Sequence, residues 1–489
     1  NVCYVSIIIE MQPKPNFPDK DSQARSEATA LRRRMLEGSW IGDLEEYVRR
    51  QIPLDRRAVW ASLDQSSNVF KHGCQALAVL YSDKPLVGVP IELKDRAFDY
   101  LKVDGALDRS NFFTLMEEVQ FKTIGLREMC VRVDVSDSKE LLFRPVTPDM
   151  IYAKAPAGDP LKPNLLYEYR LRQNEKTKEA FWTADVFDLR DPDYPIYKVM
   201  KVDLNGEFEE DLSDLFLGGD MTGPNYPYID SSGKVFLPWV IYHASLGAQL
   251  FQPYELSEVV SGSLQSSTYY SFLKHLLLDS AWPQRYVSNL QLAGLNTYDT
   301  SEQTRRMAIS SDPSSILCFT TDPDNQVQPM IGQFEAGLKD PNQMISAITV
   351  YERRLSSQMG IDPASVTKVS SDPRSGYSIA MSQAATRSAQ RRFQEVMKVG
   401  DMQSLILGAK ISNRFLGTDY PEEPVYSIQY ISVPLSPEEL KAQRKDIKFR
   451  LDNGLIGPVE ATMEIYDITE EEAREKLRTI KREKLEFQI

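Results

Sequence analysis

Long apolar runs, paired cysteines and an excess of positive charge are all missing from this sequence. No run of about eighteen apolar residues occurs, so a membrane-spanning helix is not expected. The apolar patch Val5 to Ile9 is too short for one, and it lacks the basic flank and small-residue cleavage site of a signal peptide. The four cysteines, Cys3, Cys74, Cys130 and Cys318, show no CxxC spacing. Neither a disulfide framework nor a zinc cluster is therefore expected, and synthesis in a reducing cytoplasm fits. The three histidines, His72, His243 and His275, stand apart and read as packing or surface residues rather than metal ligands. With a net charge of −13 the chain does not look like one that grips nucleic acid, because that affinity comes from Lys and Arg neutralising phosphates. Asn1 rather than Met opens the chain, which leads us to expect residues ahead of it.

Catalytic signatures are missing as well. There is no GxxxxGK[ST] loop, no GxGxxG, no HExxH and no GxSxG. Asp185 with Asp188, or the run Glu209, Glu210 and Asp211, can be imagined as metal ligands, but acidic stretches of this kind are usually solvated surface. No cofactor or metal is called for, and an enzyme is not expected.

What is present is length and order. The 489 residues suffice for two to four domains or one multilobed subunit. Residues 22–50 read as helices interrupted near Gly38-Ser39, and 63–82 and 108–129 carry helical periodicity, for example Phe113, Met116, Val119, Phe121 and Ile124. From Val131 to Val240 short β-branched and aromatic runs (Leu165 to Leu171, Ala180 to Phe187, Ile196 to Val202) alternate with turn clusters such as Asn205-Gly206, predicting a small antiparallel β module. A long helix is expected over 254–281. Strand-like runs follow at Tyr286 to Leu292, Ser315 to Thr320 and Gln326 to Ile331. A second helix runs from Pro341 to Met359, with Ile345, Ile348, Tyr351, Leu355 and Met359 on one face and a stop at Gly360. A polar loop precedes a third long helix, about 377–412, whose first half is rich in small residues. Gly400 and Gly408 should weaken it by roughly 1 kcal/mol each against Ala and favour a bend. The tail reads as three short helices, opened by the capping box Ser436-Pro437-Glu438-Glu439, by Pro458 and by Thr469.

The strings RRLSSQMGIDP (353–363), SGYSIAMSQAA (375–385) and LDNGLIGPVEA (451–461), in this order, give the chain from about residue 254 onward a pattern that resembles the portal proteins of tailed bacteriophages. The resemblance implies an α+β, mainly helical fold with these parts: a wing over 1–253 holding helices and a β-rich module at about 131–245; a first stem helix, 254–281; a clip, 282–335; a second stem helix, 336–362; a tunnel loop, 363–376; a long kinked helix and return to the wing, 377–434; and a crown, 435–489. Taken singly, the second stem helix reads more often as a core helix, the arginines of the third helix usually as a solvated face, and the loop usually as a plain connection.

The resemblance further implies a virion protein in which twelve copies ring one capsid vertex, with double-stranded DNA passing through the channel without sequence recognition. Partners would be the terminase large subunit, then a head-tail adaptor, and the major capsid and scaffolding proteins, with no membrane involved. Thr367, Lys368, Ser370, Ser371 and Arg374 would face DNA from the tunnel loop. Ala384, Ala385, Arg387 and Arg391 would line the seam between subunits, and Arg305 and Arg306 in the clip would meet an acidic docking partner. In the loop, Lys368 and Arg374 against Asp372 leave one net positive charge per subunit, about twelve per ring, facing some six phosphates in a layer about 10 Å tall. That suits a loose, sequence-blind clamp in an otherwise repelling conduit. Two other readings stay open: another virion ring component (neck, tail-tube or baseplate), which would lack a helix pair flanking a projecting module, and an enzyme acting on nucleic acid, which would need a metal.

Overall fold

The computed structural model describes residues 13–51, 63–174, 178–247, 249–251, 257–281, 285–288, 290–292, 319–321, 330–333, 341–361, 376–430, 437–466 and 470–486. Helix α1, Lys20–Glu37, begins where the Asp19 side chain accepts the Ser22 N–H at 2.8 Å. It ends at Gly38, whose φ of +89° lets its N–H return to Arg34 O at 2.9 Å. The expected interruption is this cap, and Arg34 clasps Asp43 of α2, Ile41–Gln51, through two bonds of 2.7 and 2.6 Å across it. The periodicity over 63–82 yields only α3, Val69–Leu77. Asn68 caps it, accepting Lys71 N–H at 2.9 Å, while Asp64 N–H is already taken by Ser271 Oγ at 2.8 Å, far along the chain. A tertiary partner thus wins over local helix propensity here.

Strand β1, Leu86–Gly88, helix α4, Lys94–Leu101, and helix α5, Phe112–Leu126, follow. Of the five residues expected on the core face of α5, Met116, Val119 and Ile124 are fully buried, and Phe113 and Phe121 pack at its margin. Next come β2, Glu128–Val135; β3, Leu141–Val146; β4, Ile151–Lys154; β5, Leu165–Gln173; β6, Ala180–Asp188; β7, Ile196–Val202; β8, Phe208–Asp211; β9, Met221–Thr222; and β10, Trp239–His243. Every pairing is antiparallel, but the single module expected is two sheets. One runs β10-β2-β3; the other runs β4-β5-β6-β7-β8, with β9 also on β7. The first lies in the main core, against α5 and the third long helix; the second keeps a smaller core of its own around Phe17, Tyr152, Tyr169 and Trp182.

Two arginines join the sheets. Arg132 of β2, 5% exposed, donates to Glu168 at 3.1 Å, to Asp185 at 2.9 Å and to the Tyr197 hydroxyl at 2.9 Å, on β5, β6 and β7 in turn. Arg144 of β3 adds a two-pronged grip on Glu168 at 2.6 and 2.8 Å, and Arg172 donates to Asp185 at 3.0 Å. Removing one member of such a buried set leaves the others uncompensated, which costs several kcal/mol.

The rest of the chain is mostly helical: α6, Ser257–Ala281; the short strands β11, Arg285–Ser288, β12, Leu290–Leu292, β13, Phe319–Thr321, and β14, Met330–Gln333; α7, Pro341–Gln358; α8, Gly376–Leu416; β15, Ser427–Gln429, paired with β1; then α9, Pro437–Asp452, α10, Pro458–Tyr466, and α11, Glu470–Glu486. The chain is a mixed α+β protein, and no described helix is long and apolar enough to cross a membrane. α7 stops as expected at Gly360, which takes φ +72°. Its buried face is the expected one except at Ile345. Ile348 and Leu355 are buried and Met359 follows, but Ile345 is 41% exposed, and the seam is completed by Glu352 and Ser356.

Candidate functional site: a helical pair, the strands between its helices and the long helix

Contacts along α6 and α7 run in opposite order. Glu258 accepts from Gln358 at 3.2 Å, Gly262 faces Leu355, Ser266 donates to Glu352 at 2.7 Å, and the Tyr269 and Tyr351 rings meet edge-on at 5.9 Å. The pair is therefore antiparallel. Its close approach needs small residues: a Cβ on Gly262 would lie 2.5 Å from a Leu355 methyl. A serine ladder at i, i+4, i+8 (Ser263, Ser267, Ser271) ties α6 to residues 64–70, with Ser267 donating to Ser67 O at 2.7 Å and Ser263 accepting Phe70 N–H at 3.1 Å. Glu352 is buried among hydroxyls of Ser67, Ser266 and Tyr270.

Between the two helices lie four short described strands. β11 pairs with β14, Arg285 opposite Gln333; further along, β12 pairs with β13, Leu290 opposite Thr321. These pairings nest inside the α6–α7 contacts, so the described strands between the two helices form a two-ribbon antiparallel arm.

α8 is 41 residues long, about 60 Å. It runs without interruption through Gly400 and Gly408, where the sequence predicts weakness. Packing explains both: a Cβ on Gly400 would lie 2.5 Å from the Tyr242 ring, and one on Gly408 would strike the Tyr100 hydroxyl and come within 3.2 Å of Leu141 and Phe143. The face carrying Met397, Asp401, Ser404, Leu405 and Gly408 is in the core. There the Asp401 carboxylate accepts from Tyr81 at 2.7 Å, Tyr430 at 2.6 Å and Tyr242 at 3.0 Å, with no cation beside it among the described residues. Burial pushes this carboxyl up to about 6, against the three hydroxyl bonds that favour its charged form. The opposite stripe, Val399, Gln403, Ile406 and Lys410, faces away from that core and, with β10 and Leu246, borders a groove of about 610 Å³. His243 lines this groove; burial pushes its imidazole down to about 4, so it is neutral at physiological pH.

Of the residues singled out by sequence, Arg391 is exposed on α8, as is its neighbour Arg392. Ala384, Ala385 and Arg387 fall within the span of α8, but their side chains lie outside the described residues, as do Thr367, Lys368, Ser370, Ser371 and Arg374 of the loop and Arg305 and Arg306 of the arm. The acidic candidates other than the exposed Glu210 are occupied by arginine or lysine. Asp185 belongs to the Arg132 cluster, Asp188 binds Arg190 at 2.6 Å, and Glu209 and Asp211 pair with Lys201 and Lys198. No group of three or more His, Cys, Asp or Glu able to hold a metal ion occurs among the described residues. Sequence reasoning missed Arg132, Glu352 and Asp401. For Asp401 a signal existed: it sits at a core register position of an amphipathic helix, between Met397 and Leu405. No protein-family model and no curated protein matches this chain.

Proposed function

We propose that this chain is the repeated subunit of a viral portal: a twelve-membered ring at one capsid vertex of a tailed phage, through which the genome is packaged and later ejected. The observation that carries the reading is an ordered one. An antiparallel helical pair brackets two nested antiparallel strand pairs, and a single 41-residue helix and a three-helix tail follow it. That is the succession of stem, clip, stem, long helix and crown which the sequence resembles. In this reading the arm over 282–335 is the docking platform for the terminase, a separate ATPase, and afterwards for an adaptor. The chain itself is a conduit and not an enzyme. Its net charge of −13 keeps most of the wall repelling DNA, and Lys368 and Arg374 supply the loose clamp.

Negative-stain electron microscopy of the purified chain, sorted by rotational symmetry, tests this. Rings of about twelve subunits around an open channel support the portal. A stacked tube or a six-fold disc rejects it in favour of a tail component. Within a portal, Lys368→Ala with Arg374→Ala should lower DNA retention, most visibly as salt is raised; unchanged packaging and retention would remove the clamp role.

A further inference from the structure

We propose that neighbouring copies meet by a knob in a groove: the ridge carrying Ile91 and Phe98 of one copy seats between α8 and β10 of the next. The inference rests on the reading that copies of this chain form a ring, and it names the surfaces that would do so.

The ridge is the helical run from Ile91 through α4. It turns Ala97 and Tyr100 inward, 1% and 0% exposed, and leaves Ile91 81%, Phe98 62% and, just beyond, Val103 79% exposed. Single exposed apolar side chains are ordinary, but three within thirteen residues make a patch that asks for a partner. It is also braced. The Tyr100 hydroxyl donates to Leu405 O at 2.9 Å, its ring stacks on Tyr420 at 4.9 Å, and Arg96 holds Asp419 through bonds of 2.8 and 3.1 Å.

The recess is the groove of about 610 Å³ walled by Leu161, Leu237, Ile241, Leu246, Val399 and Ile406. Leu246 and Val399 at its edge are 52% and 40% exposed. Its placement decides what can fill it. The ridge is anchored on α8 at Leu405 and Gly408, whereas the groove uses Val399, Gln403 and Ile406, on the other side of the same helix. A projection and a recess on opposite sides of one rigid helix fit a head-to-tail contact, which closes into a ring; a two-fold pairing would need them side by side. Charge sets a limit on the contact. Glu92 and Asp95 on the ridge are exposed with no ion-pair partner among the described residues, but Lys162 and Lys410 on the groove's border are already held by Asp159 at 3.2 Å and Asp230 at 2.9 Å. Either lysine would have to be shared with the incoming ridge, so the apolar fit carries the contact.

The test uses the full chain with Phe98→Asp (knob) and Val399→Asp (groove), both at exposed positions. Circular dichroism should confirm that each still folds. Light scattering and negative stain should show each variant failing to form the wild-type assembly, or needing at least tenfold more protein. Mixing the two variants is decisive. One intact knob and one intact groove remain, so the mixture should give a two-chain species that neither variant gives alone. Rings that persist in both variants overturn the contact while leaving the portal reading intact. Assemblies of a symmetry other than twelve that are lost in both variants and paired by mixing reject the portal but uphold the contact. A wild-type chain that stays single at high concentration, or a mixture that forms no pair, overturns the contact.

Discussion

The Arg132 cluster and the Asp401 cluster are both buried and both built on carboxylates, yet their charge is handled in opposite ways. Between the two sheets, Glu168 and Asp185 share Arg132, Arg144 and Arg172, so negative charge is met by positive charge at 2.6 to 3.1 Å. Against α8, Asp401 has only hydroxyl donors, from Tyr81, Tyr242 and Tyr430, and Glu352 in the helical pair is likewise surrounded by hydroxyls. The first arrangement fixes two sheets against each other through guanidinium groups, which stay charged over the neutral range. The second ties three distant segments (residues 81, 242 and 430) to the middle of one long helix, and it can take up a proton. The two sheets are thus locked by charge, and the long helix is held by a polar contact that titrates.

The sharpest way to break the first cluster is Arg132→Met. It leaves two buried carboxylates short of the more deeply buried of the two cations they share, Arg132 and Arg170, and we expect a loss of about 3–5 kcal/mol in urea unfolding. A loss below about 1 kcal/mol would mean that Arg144, Arg170 and Arg172 suffice without it. For the second cluster the expected effect is a pH slope. The Asp401 carboxyl binds its proton more tightly folded, at about 6, than unfolded, near 3.8. Its stabilising contribution is therefore full below pH 4 and is lost as pH rises through 6, spanning about 3 kcal/mol in all and roughly half of that between pH 7 and 5. Asp401→Asn should remove this slope while Arg132→Met leaves it in place. Parallel stability-versus-pH curves for wild type and Asp401→Asn would contradict the assignment.

How far these regions were legible in the sequence follows the same division. Local signals carried the caps at Gly38 and Gly360, the strand Ile196–Val202 and the order of long helices, because capping and periodicity depend on neighbours in the chain. Long-range partners did not show. Arg132 reads as an alternating strand charge until Glu168 and Asp185 close on it. The helix expected from residue 63 starts only at Val69, because Ser271, over two hundred residues on, takes the Asp64 N–H. The split into two sheets was hidden for the same reason: β2 pairs with β10, more than a hundred residues away, as well as with its neighbour β3. The helical pair bracketing an arm was legible as order along the chain, but its antiparallel contacts through Gly262 and Glu352 were not.

Two glycine substitutions separate local propensity from tertiary packing most finely. By propensity alone, Gly→Ala inside a helix should stabilise by up to about 1 kcal/mol wherever it is made. At Gly42 in α2 nothing lies within 4 Å of an added Cβ, so Gly42→Ala should show that gain or, near the helix start, part of it. At Gly400 the added Cβ would lie 2.5 Å from Cδ1 of Tyr242, a ring 1% exposed and pinned by its hydroxyl to Asp401 and Ser404. The ring cannot swing aside without giving up those bonds, and overpacking of this kind costs about 1–3 kcal/mol, so the sign reverses. Gly400→Ala should therefore lower stability by up to about 2 kcal/mol and, by displacing Tyr242, also flatten the pH slope assigned to Asp401. Thermal unfolding of both variants at pH 7 and pH 5 reads the two effects together. A stabilising Gly400→Ala would show that the glycine serves helix bending rather than the tyrosine contact.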